Sequence, residues 1–306
     1  MKPILVFILG PTASGKSEVA VRLAERIGGE IISCDSMQVY SDMEILTQAP
    51  GKDMVSRVKH HLLGVIKPEE EFSVAKFIEL AAGAIEDILS RGKIPVLSGG
   101  TGLYVKALLE GLFSSPPKDK ELREKLEREA LEKGNMHLYG RLKKIDPEAA
   151  FGIDPQNIRR VIRALEVFEL TGKTFSEKKT ETKGIGDRYN VGLFALEVPR
   201  DVLIGRIEKR VDKMFYSGLV DEVKELIGRK VSLTASKALG LKEVSSFVSG
   251  EIGLDEVKEE LKIKTRQYAK RQMTWLRAVN HLEWVDAERA VDEIVFDVAE
   301  RSGFAG

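Results

Sequence analysis

The stretch GPTASGKS at residues 10–17 decides the fold of this chain. It consists of Gly10, Pro11, Thr12, Ala13, Ser14, Gly15, Lys16 and Ser17, which fit the pattern G-x-x-x-x-G-K-[ST]. The apolar run at 4–9 predicts a buried strand, and the apolar spacing over 18–27 predicts a helix. A strand, a glycine loop and a helix form a phosphate cradle, in which backbone N–H groups and the helix N-terminus face the anion. Lys16 adds a full positive charge and the Ser17 hydroxyl suits Mg²⁺, so the motif predicts a site for a di- or triphosphate.

The composition is typical of a globular protein without disulfides. The chain has 306 residues, of which 43% are hydrophobic, and its 48 Lys and Arg balance its 48 Asp and Glu. Because the net charge is zero, any nucleic-acid site has to be a local basic patch. The single cysteine, Cys34, excludes an internal disulfide and a Cys₄ or Cys₂His₂ zinc site, and it fits a cytoplasmic location. Since no apolar run approaches the ~20 residues of a membrane span, and no apolar stripe is left for a partner subunit, we expect a monomer that does not bind membranes.

Residues 1–113 alternate between predicted strands and predicted helices. Further strands are predicted at 30–34 and 94–97, and helices at 73–90 and 101–109. Short apolar strands that alternate with helices are typical of an α/β fold with a parallel sheet.

The pattern changes at the stretch Ser-Ser-Pro-Pro, residues 114–117. Between 120 and 172 the sequence contains only helical signals, which predict a helical insertion, and the polar residues 173–190 predict a loop. A strand is predicted at 191–198, followed by mostly helical sequence with a late strand at 282–285. The predicted domains are therefore 1–113 with 191–306, and 114–190.

Asp35 follows the second predicted strand, at the edge of the sheet where open α/β proteins bind ligands. A carboxylate at this edge can accept a proton from a nucleophile. Asp35 with Gln38 three residues later also fits a helix capping pair. The pattern alone leaves both interpretations open.

The third predicted strand ends in SGGT at 98–101, without the carboxylate that phosphate-loop kinases and ATPases use to hold Mg²⁺. This absence is evidence against ordinary ATP hydrolysis. It favours a reaction in which diphosphate is the leaving group.

Basic residues form two stripes on predicted helices. One contains Arg159, Arg160 and Arg163, and the other contains Lys262, Arg266, Lys270 and Arg277. Such stripes either face solvent or contact a phosphate backbone. Arg206 and Arg210 share a helix face and either reach a phosphate or pair with Asp221 or Glu222. For His60 and His61 we expect packing or hydrogen bonding, because no further ligand stands at metal-binding spacing.

These motifs together resemble those of the tRNA dimethylallyltransferase family, whose members are also called tRNA isopentenyltransferases. The matching segments are GPTASGKS at 10–17, DSMQVY at 35–40, HHLL at 60–63, SGGTGLYVKALLEGL at 98–112, RRVIRALEVFELTGK at 159–173, RIEKRVDKMFYSGLVDEV at 206–223, ALGLKE at 238–243 and AKRQMTWLR at 269–277. They are collinear over nearly the whole chain. Many families share the phosphate loop, but its combination with DSMQVY, SGGTGLY and KRQMTW is specific.

The resemblance implies a nucleotide-kinase-like phosphate-loop core with a helical insertion that grips the anticodon stem of tRNA. It implies transfer of a dimethylallyl group from dimethylallyl diphosphate to N6 of the adenosine 3′ of the anticodon, in tRNAs that read codons starting with U. The phosphate loop and Arg210 would hold the donor diphosphate, with Mg²⁺ at Ser17. Asp35 would accept the N6 proton, and Thr101 would position the reacting centre. The implied tRNA contacts are Asp35, Ser36, Met37, Gln38, Thr101, Arg123, Arg159, Arg160, Arg163, Lys270, Arg271, Gln272, Trp275 and Arg277.

The chain departs from the family pattern in three places. Members often read DIGTAKP where this chain has EILTQAP at 44–50, so a glycine and a lysine are absent. The usual IGY is LGL at 239–241, and the HHLID-like segment is HHLLG at 60–64. None of these changes touches the phosphate loop, Asp35 or Thr101, so we expect activity to survive.

Three other functions are compatible with parts of the sequence. A relative that prenylates free AMP or ADP would keep the core without needing the arginine-bearing insertion. A small-molecule kinase would need the missing carboxylate at the end of the third strand. A non-catalytic RNA-binding module would have no use for an intact phosphate loop with Asp35 and Thr101.

Overall fold

A computed structural model of the chain describes residues 2–112, 116, 119–180 and 184–304. It divides into two compact units, Met1–Leu108 with Gly186–Gly306, and Leu109–Ile185. The predicted domain boundary at 113/114 lies outside the described residues, and the assignment of 114–190 to tRNA binding stays a prediction.

The first unit is built on a six-stranded sheet in which every strand pair is parallel. The strands are β1 Ile4–Leu9, β2 Gly29–Ser33, β3 His60–His61, β4 Ile94–Gly99, β5 Asn190–Glu197 and β6 Glu283–Asp286, in the order β3-β2-β4-β1-β5-β6. The central strand β1 is apolar at every position, as a strand covered on both faces requires. The predicted parallel α/β sheet is confirmed.

Helices connect the strands and form the second unit. In chain order they are α1 Lys16–Ile27, α2 Lys52–Arg57, α3 Val74–Ser90, α4 Gly102–Glu110, α5 Lys120–Lys133, α6 Asn135–Ile145, α7 Pro147–Phe151, α8 Ile158–Thr171, α9 Phe175–Thr180, α10 Arg200–Tyr216, α11 Leu219–Ile227, α12 Leu241–Val248, α13 Leu254–Leu276 and α14 Val291–Arg301. Helix α1 packs its apolar face on the sheet beside α14. Among the described residues, none of the helices has the length and hydropathy to span a bilayer.

Two elements differ from the sequence prediction. Strand β3 was not predicted, because a two-residue strand that pairs with Ile31 and Ile32 carries no periodic signal of its own. The predicted loop at 173–190 contains helix α9, so that prediction is wrong there. A residue distant in sequence holds the start of helix α9. The buried Asp146 carboxylate accepts hydrogen bonds from the Ser176 N–H at 2.9 Å and from the Ser176 hydroxyl at 2.7 Å.

The second unit has its own apolar core. Helices α5, α6 and α8 bury Leu126, Leu138, Leu142, Val161 and Leu165 against one another. Helix α7 begins at Pro147, and the Asp146 side chain caps it by accepting the Ala149 N–H at 3.0 Å. The prediction of helices throughout 120–172 is therefore confirmed.

The strand order brings three loops to the carboxyl edge of the sheet. The phosphate loop, residues 10–17, follows β1; the Asp35 turn, residues 35–40, follows β2; and the Thr101 loop, residues 98–102, spans the end of β4. Strand β4 lies between β1 and β2, so the three loops are neighbours although the sequence separates them. This edge is where ligands bind in open α/β sheets.

Candidate active site

The phosphate loop wraps tightly before helix α1. Ala13 has a φ of 65°, a left-handed conformation that non-glycine residues rarely adopt, and Lys16 is the first residue of the helix. The Lys16 ammonium donates a hydrogen bond to the Pro11 carbonyl at 3.3 Å. Burial lowers the pKa of Lys16 to about 8, against the opposing attraction of the Asp35 carboxylate. A cation so poorly solvated is poised for an anionic ligand.

Two cavities adjoin the phosphate loop. The larger has a volume of about 330 Å³ and is lined by Ala13–Gly15, by Arg206 and Arg210, and by the apolar side chains of Leu196 and Ile294. The Ser14 hydroxyl is buried and has no hydrogen-bond partner within the described part of the chain.

The smaller cavity has a volume of about 10 Å³, which suits one water molecule or ion. Its polar lining comes from Lys16, Ser17, Ser33, Gln38, His60 and Ser98. Hydroxyl and amide oxygens are ligands that Mg²⁺ accepts. The predicted metal ligand Ser17 therefore lies beside other oxygen donors.

Asp35 shapes the turn that follows β2. Its Oδ1 accepts hydrogen bonds from the Met37 N–H at 2.9 Å and the Gln38 N–H at 3.4 Å. No hydrogen bond from the described residues reaches Oδ2, so this oxygen can accept a proton. Only one half of the predicted capping pair forms, because the Gln38 side chain donates to the Gln48 carbonyl at 3.2 Å instead of returning to Asp35, and residues 36–39 form a turn rather than a helix.

Thr101 lies against the Asp35 turn. Its Oγ1 accepts a hydrogen bond from the Ser36 N–H at 3.1 Å. Burial, together with the charge of Asp35, raises the pKa of the nearby Tyr268 hydroxyl. The structure thus brings the two predicted catalytic residues together.

Helix α13 reaches the same edge through two side chains that were predicted to contact tRNA. Gln272 accepts a hydrogen bond from the Thr12 N–H at 2.8 Å and donates one to the Gly100 carbonyl at 3.1 Å. Trp275 packs so closely on the Thr101 loop that a Cβ at Gly102 would lie 2.1 Å from the indole. Gln272 therefore contacts both the phosphate loop and the Thr101 loop, whereas Trp275 contacts the Thr101 loop.

Arg210 and Arg206 approach the phosphate loop from α10. Arg210 donates to the Gln48 Oε1 at 2.9 Å, and Arg206 donates to the Ser14 carbonyl at 3.3 Å. Neither pairs with an acid among the described residues: Glu222 instead accepts the N–H groups of Ile45 and Leu46. The alternative of an ion pair is wrong, and burial lowers the pKa of Arg210 as it does that of Lys16.

Sequence reasoning missed the role of Gln48. Its backbone has a φ of 56°, and its side chain accepts from both Arg210 and the Thr12 hydroxyl, the latter at 3.4 Å. The only available signal was the departure of segment 44–50 from the family pattern. The leucine that replaces the family glycine, Leu46, is buried beside Gly240.

The predicted tRNA contacts of the second unit fall into two classes. Arg123 and Arg163 both bind the buried Glu166 carboxylate, Arg123 at 2.7 and 2.8 Å. Although burial alone would raise it, these guanidinium groups lower the pKa of Glu166 to about 2. Arg159 and Arg160 are exposed on the first turn of α8.

The second stripe, on α13, divides in the same way. Lys262 pairs with Asp212 at 3.2 Å and Arg266 pairs with Glu208 at 2.7 Å, so both cations are neutralised by α10. Lys270, Arg271 and Arg277 are exposed near the end of the helix. These three are the ones suited to phosphate contacts.

A second group of ionisable side chains surrounds Glu30. Glu30, His61 and Asp87 could hold a metal by geometry, but Arg91 and Lys93 already bind the Glu30 carboxylate, Lys93 at 2.8 Å. His61 hydrogen-bonds Glu30 at 2.8 Å, and His60 hydrogen-bonds the Val58 carbonyl at 2.8 Å. The hydrogen-bonding role predicted for the two histidines is confirmed.

Family models match nearly the whole chain. The model described as IPP transferase matches residues 38–279, and the model described as isopentenyl transferase matches residues 3–65. A tRNA dimethylallyltransferase of Acetivibrio thermocellus is 48% identical over 291 residues, covering 94% of this chain and 93% of the relative. Another, of Geobacter sulfurreducens, is 44% identical over 295 residues, covering 96% and 95%.

Solved structures are similar over the same length. The full-length tRNA isopentenylpyrophosphate transferase of Bacillus halodurans superposes with a TM-score of 0.72 at 40% identity, covering 99% of this chain and 95% of that one. A eukaryotic dimethylallyltransferase acting on tRNA superposes with a TM-score of 0.82 at 29% identity, covering 99% and 80%.

Proposed function

The chain belongs to the IPP transferase family, and from this premise we propose that it transfers a dimethylallyl group from dimethylallyl diphosphate to N6 of adenosine 37 in tRNA. That adenosine lies 3′ of the anticodon in tRNAs that read codons starting with U. The observation that carries the proposal is the meeting of the phosphate loop, Asp35 and Thr101 at one sheet edge. The names of the relatives support the same reaction.

The reaction exchanges one bond at the allylic carbon. The C–O bond to diphosphate breaks and its electron pair leaves with the diphosphate, while the N6 lone pair forms the new C–N bond. The Asp35 carboxylate takes the proton that N6 loses. Lys16, the loop N–H groups and Arg210 stabilise the charge that develops on the leaving diphosphate.

The small cavity beside Lys16 offers the hydroxyl and amide oxygens of Ser17, Ser33 and Gln38, and Ser17 would be the protein ligand of Mg²⁺ there. When bound, the ion supplies positive charge that stabilises the diphosphate as a leaving group. The residues of this chain hold the diphosphate in place around it.

The acceptor adenine has to leave the stack of the anticodon loop to reach Asp35. Exposed Arg159 and Arg160 on α8, and exposed Lys270, Arg271 and Arg277 on α13, each offer charge for backbone phosphates. Arg123 and Arg163 would act through the position of α8, since Glu166 engages them. Free AMP or ADP as acceptor would leave these exposed cations without a role.

Mass spectrometry of an anticodon stem-loop RNA tests the proposal. The RNA is incubated with the protein, Mg²⁺ and dimethylallyl diphosphate, and a matched RNA carries guanosine in place of the acceptor adenosine. We expect one C₅H₈ unit on the adenosine RNA, none on the guanosine RNA, and a large loss with Asp35→Asn. Addition to free AMP but not to RNA would contradict tRNA as the acceptor, and no addition to either would contradict the reaction.

A further inference from the structure

We propose that Gln272 is a positioning residue that sets the spacing between the donor-binding phosphate loop and the Thr101 loop. This inference rests on the proposed function, because it assigns the two loops to donor and acceptor. It replaces the direct tRNA contact that the sequence predicts for Gln272.

The side-chain amide of Gln272 uses both of its ends on backbone groups. Its Oε1 accepts the Thr12 N–H at 2.8 Å, and its Nε2 donates to the Gly100 carbonyl at 3.1 Å. A donor at one end and an acceptor at the other fix the orientation of the amide. Gln272 is 5% exposed, so water cannot replace either bond easily.

Two glycines of the Thr101 loop leave the space that the Gln272 amide and the Trp275 ring occupy. A Cβ at Gly100 would lie 2.2 Å from the Gln272 Nε2, and a Cβ at Gly102 would lie 2.1 Å from the Trp275 ring. Gln272 and Trp275 lie three residues apart on α13, hence on one face of the helix. Glycine at both positions therefore allows one helix face to hold the loop.

The bonds of Gln272 complete a chain that crosses the site. The phosphate loop is joined at Thr12 to Gln272, then to Gly100, and the next residue, Thr101, accepts the Ser36 N–H of the Asp35 turn at 3.1 Å. The Thr12 N–H points to Gln272, which leaves Lys16 and Arg210 to bind the diphosphate. Loss of the bridge should thus misplace the reacting atoms without removing the groups that bind the substrates.

A misplacement of about 1 Å can cost 10²-fold in rate. For Gln272→Leu we expect kcat to fall about 10²-fold, while the KM for dimethylallyl diphosphate and the Kd for the RNA each stay within about threefold. A residue that contacts tRNA directly would instead change the RNA Kd, as Lys270→Ala and Arg271→Ala should. Unchanged kcat, or a loss confined to RNA affinity, would overturn the inference.

Thr265→Val is the matched control for burial. Thr265 lies on the same helix and is 1% exposed, and its hydroxyl donates to the Leu261 carbonyl of its own helix at 2.7 Å. We expect similar melting temperatures for the two variants but normal kcat for Thr265→Val. An equal loss of kcat in both would reduce Gln272 to a structural role and overturn the proposal.

Gly100→Ala disturbs the same hydrogen-bonded bridge at the Gly100 end. It is the variant to measure if Gln272→Leu does not fold. The alanine Cβ would lie 2.2 Å from the Gln272 Nε2 and 3.0 Å from the Gly10 carbonyl, so it should displace the amide and lower kcat at least as much as Gln272→Leu does. We compare the double variant Gln272→Ala/Gly100→Ala with its two single variants, Gln272→Ala and Gly100→Ala. The kcat of the double variant should be no lower than that of the worse single variant, because both changes break one interaction. Additive losses would contradict a shared bridge.

A readout without catalysis separates this inference from the proposed function. Amide hydrogen exchange of the phosphate loop should be faster in Gln272→Leu than in the wild type, since the Thr12 N–H loses its acceptor. If the wild type transfers no prenyl group but this difference is present, the proposed function fails and the bridge stands. Unchanged exchange at the phosphate loop would overturn the bridge.

Discussion

The two ends of strand β2 carry acidic residues with opposite surroundings. Glu30, near its start, is buried and binds Arg91, Lys93 and His61. Asp35, just past its end, accepts two backbone N–H groups on one oxygen, and no residue that the structure describes bonds its other oxygen. The amino end of β2 thus carries an ion-paired carboxylate, whereas its carboxyl end carries the carboxylate that we propose as the base.

The electrostatic difference follows from the number of bound cations. Hydrogen bonds from Arg91 are the largest influence on Glu30, and with Lys93 and His61 they hold the pKa of this carboxyl well below its usual range, against the effect of burial. A carboxylate so stabilised cannot exchange a proton near neutral pH. At the other end of β2, the cation near Asp35 is Lys16. A bound phosphate would interact with the same ammonium group.

The largest effect should come from removing the open oxygen at the carboxyl end. We expect Asp35→Asn to lower the single-turnover rate of prenyl transfer about 10³-fold, within the range of general acid–base catalysis. The asparagine oxygen can still accept the turn N–H groups, so the melting temperature should change by no more than about 2 °C. Retained transfer with a lowered melting temperature would mean that Asp35 is structural.

The converse change at the amino end should affect stability alone. Glu30→Gln leaves Arg91 and Lys93 without their buried partner, and we expect the free energy of unfolding to fall by about 2–3 kcal/mol. Urea denaturation measures this, with Glu79→Gln as control, because Glu79 pairs with Lys76 on the surface. A more than threefold loss of transfer rate below the melting temperature would show that the two ends are not separable.

Glu166 extends the comparison to the second unit, since it too is a buried carboxylate held by arginines. Its pKa is lowered from 4.5 to about 2, so between these values the unfolded chain binds the extra proton. The stabilisation is complete above pH 4.5 and is lost as the pH falls towards 2. In urea titrations, the stability advantage of the wild type over Glu166→Gln should shrink from pH 6 to pH 3.5, and parallel curves would contradict this.

The smallest effect concerns Lys16, whose pKa is about 8 before a ligand binds. Because only the ammonium form attracts diphosphate, affinity for pyrophosphate should fall about tenfold between pH 7 and pH 9. Calorimetry measures this affinity in the wild type and in Lys16→Arg. The arginine variant is the control, since a guanidinium stays charged over this range. An equally steep pH dependence in both proteins would assign the titration to the pyrophosphate instead.

Local patterns predicted much of this molecule. The phosphate loop, helices α1 and α3, and the helices between 120 and 172 all follow from spacing rules that act within one or two turns. Asp35 could be placed at the functional edge for the same reason, since the end of an apolar strand is visible in the sequence. The sequence could not predict whether the Gln38 side chain caps Asp35, because the Gln48 carbonyl, ten residues away, binds that side chain instead.

The basic stripes show where pattern reasoning stops. Arg159 and Arg163 look alike on a helical projection, yet one is exposed and the other binds the buried Glu166 carboxylate. The same holds on α13, where Arg266 pairs with Glu208 and Lys270 is exposed. Which cation is neutralised depends on acids that are distant in sequence.

The sequence by itself determined the phosphate loop, the α/β class and the position of Asp35, because backbone geometry and periodic burial depend on neighbouring residues. Tertiary structure alone decided that Gln272 joins Thr12 to Gly100 and that Gln48 holds Arg210. These hydrogen bonds connect residues far apart in the chain, and a glutamine has no local signal that names its partner. Their formation depends on the strand order, which places the ends of β1, β2 and β4 side by side.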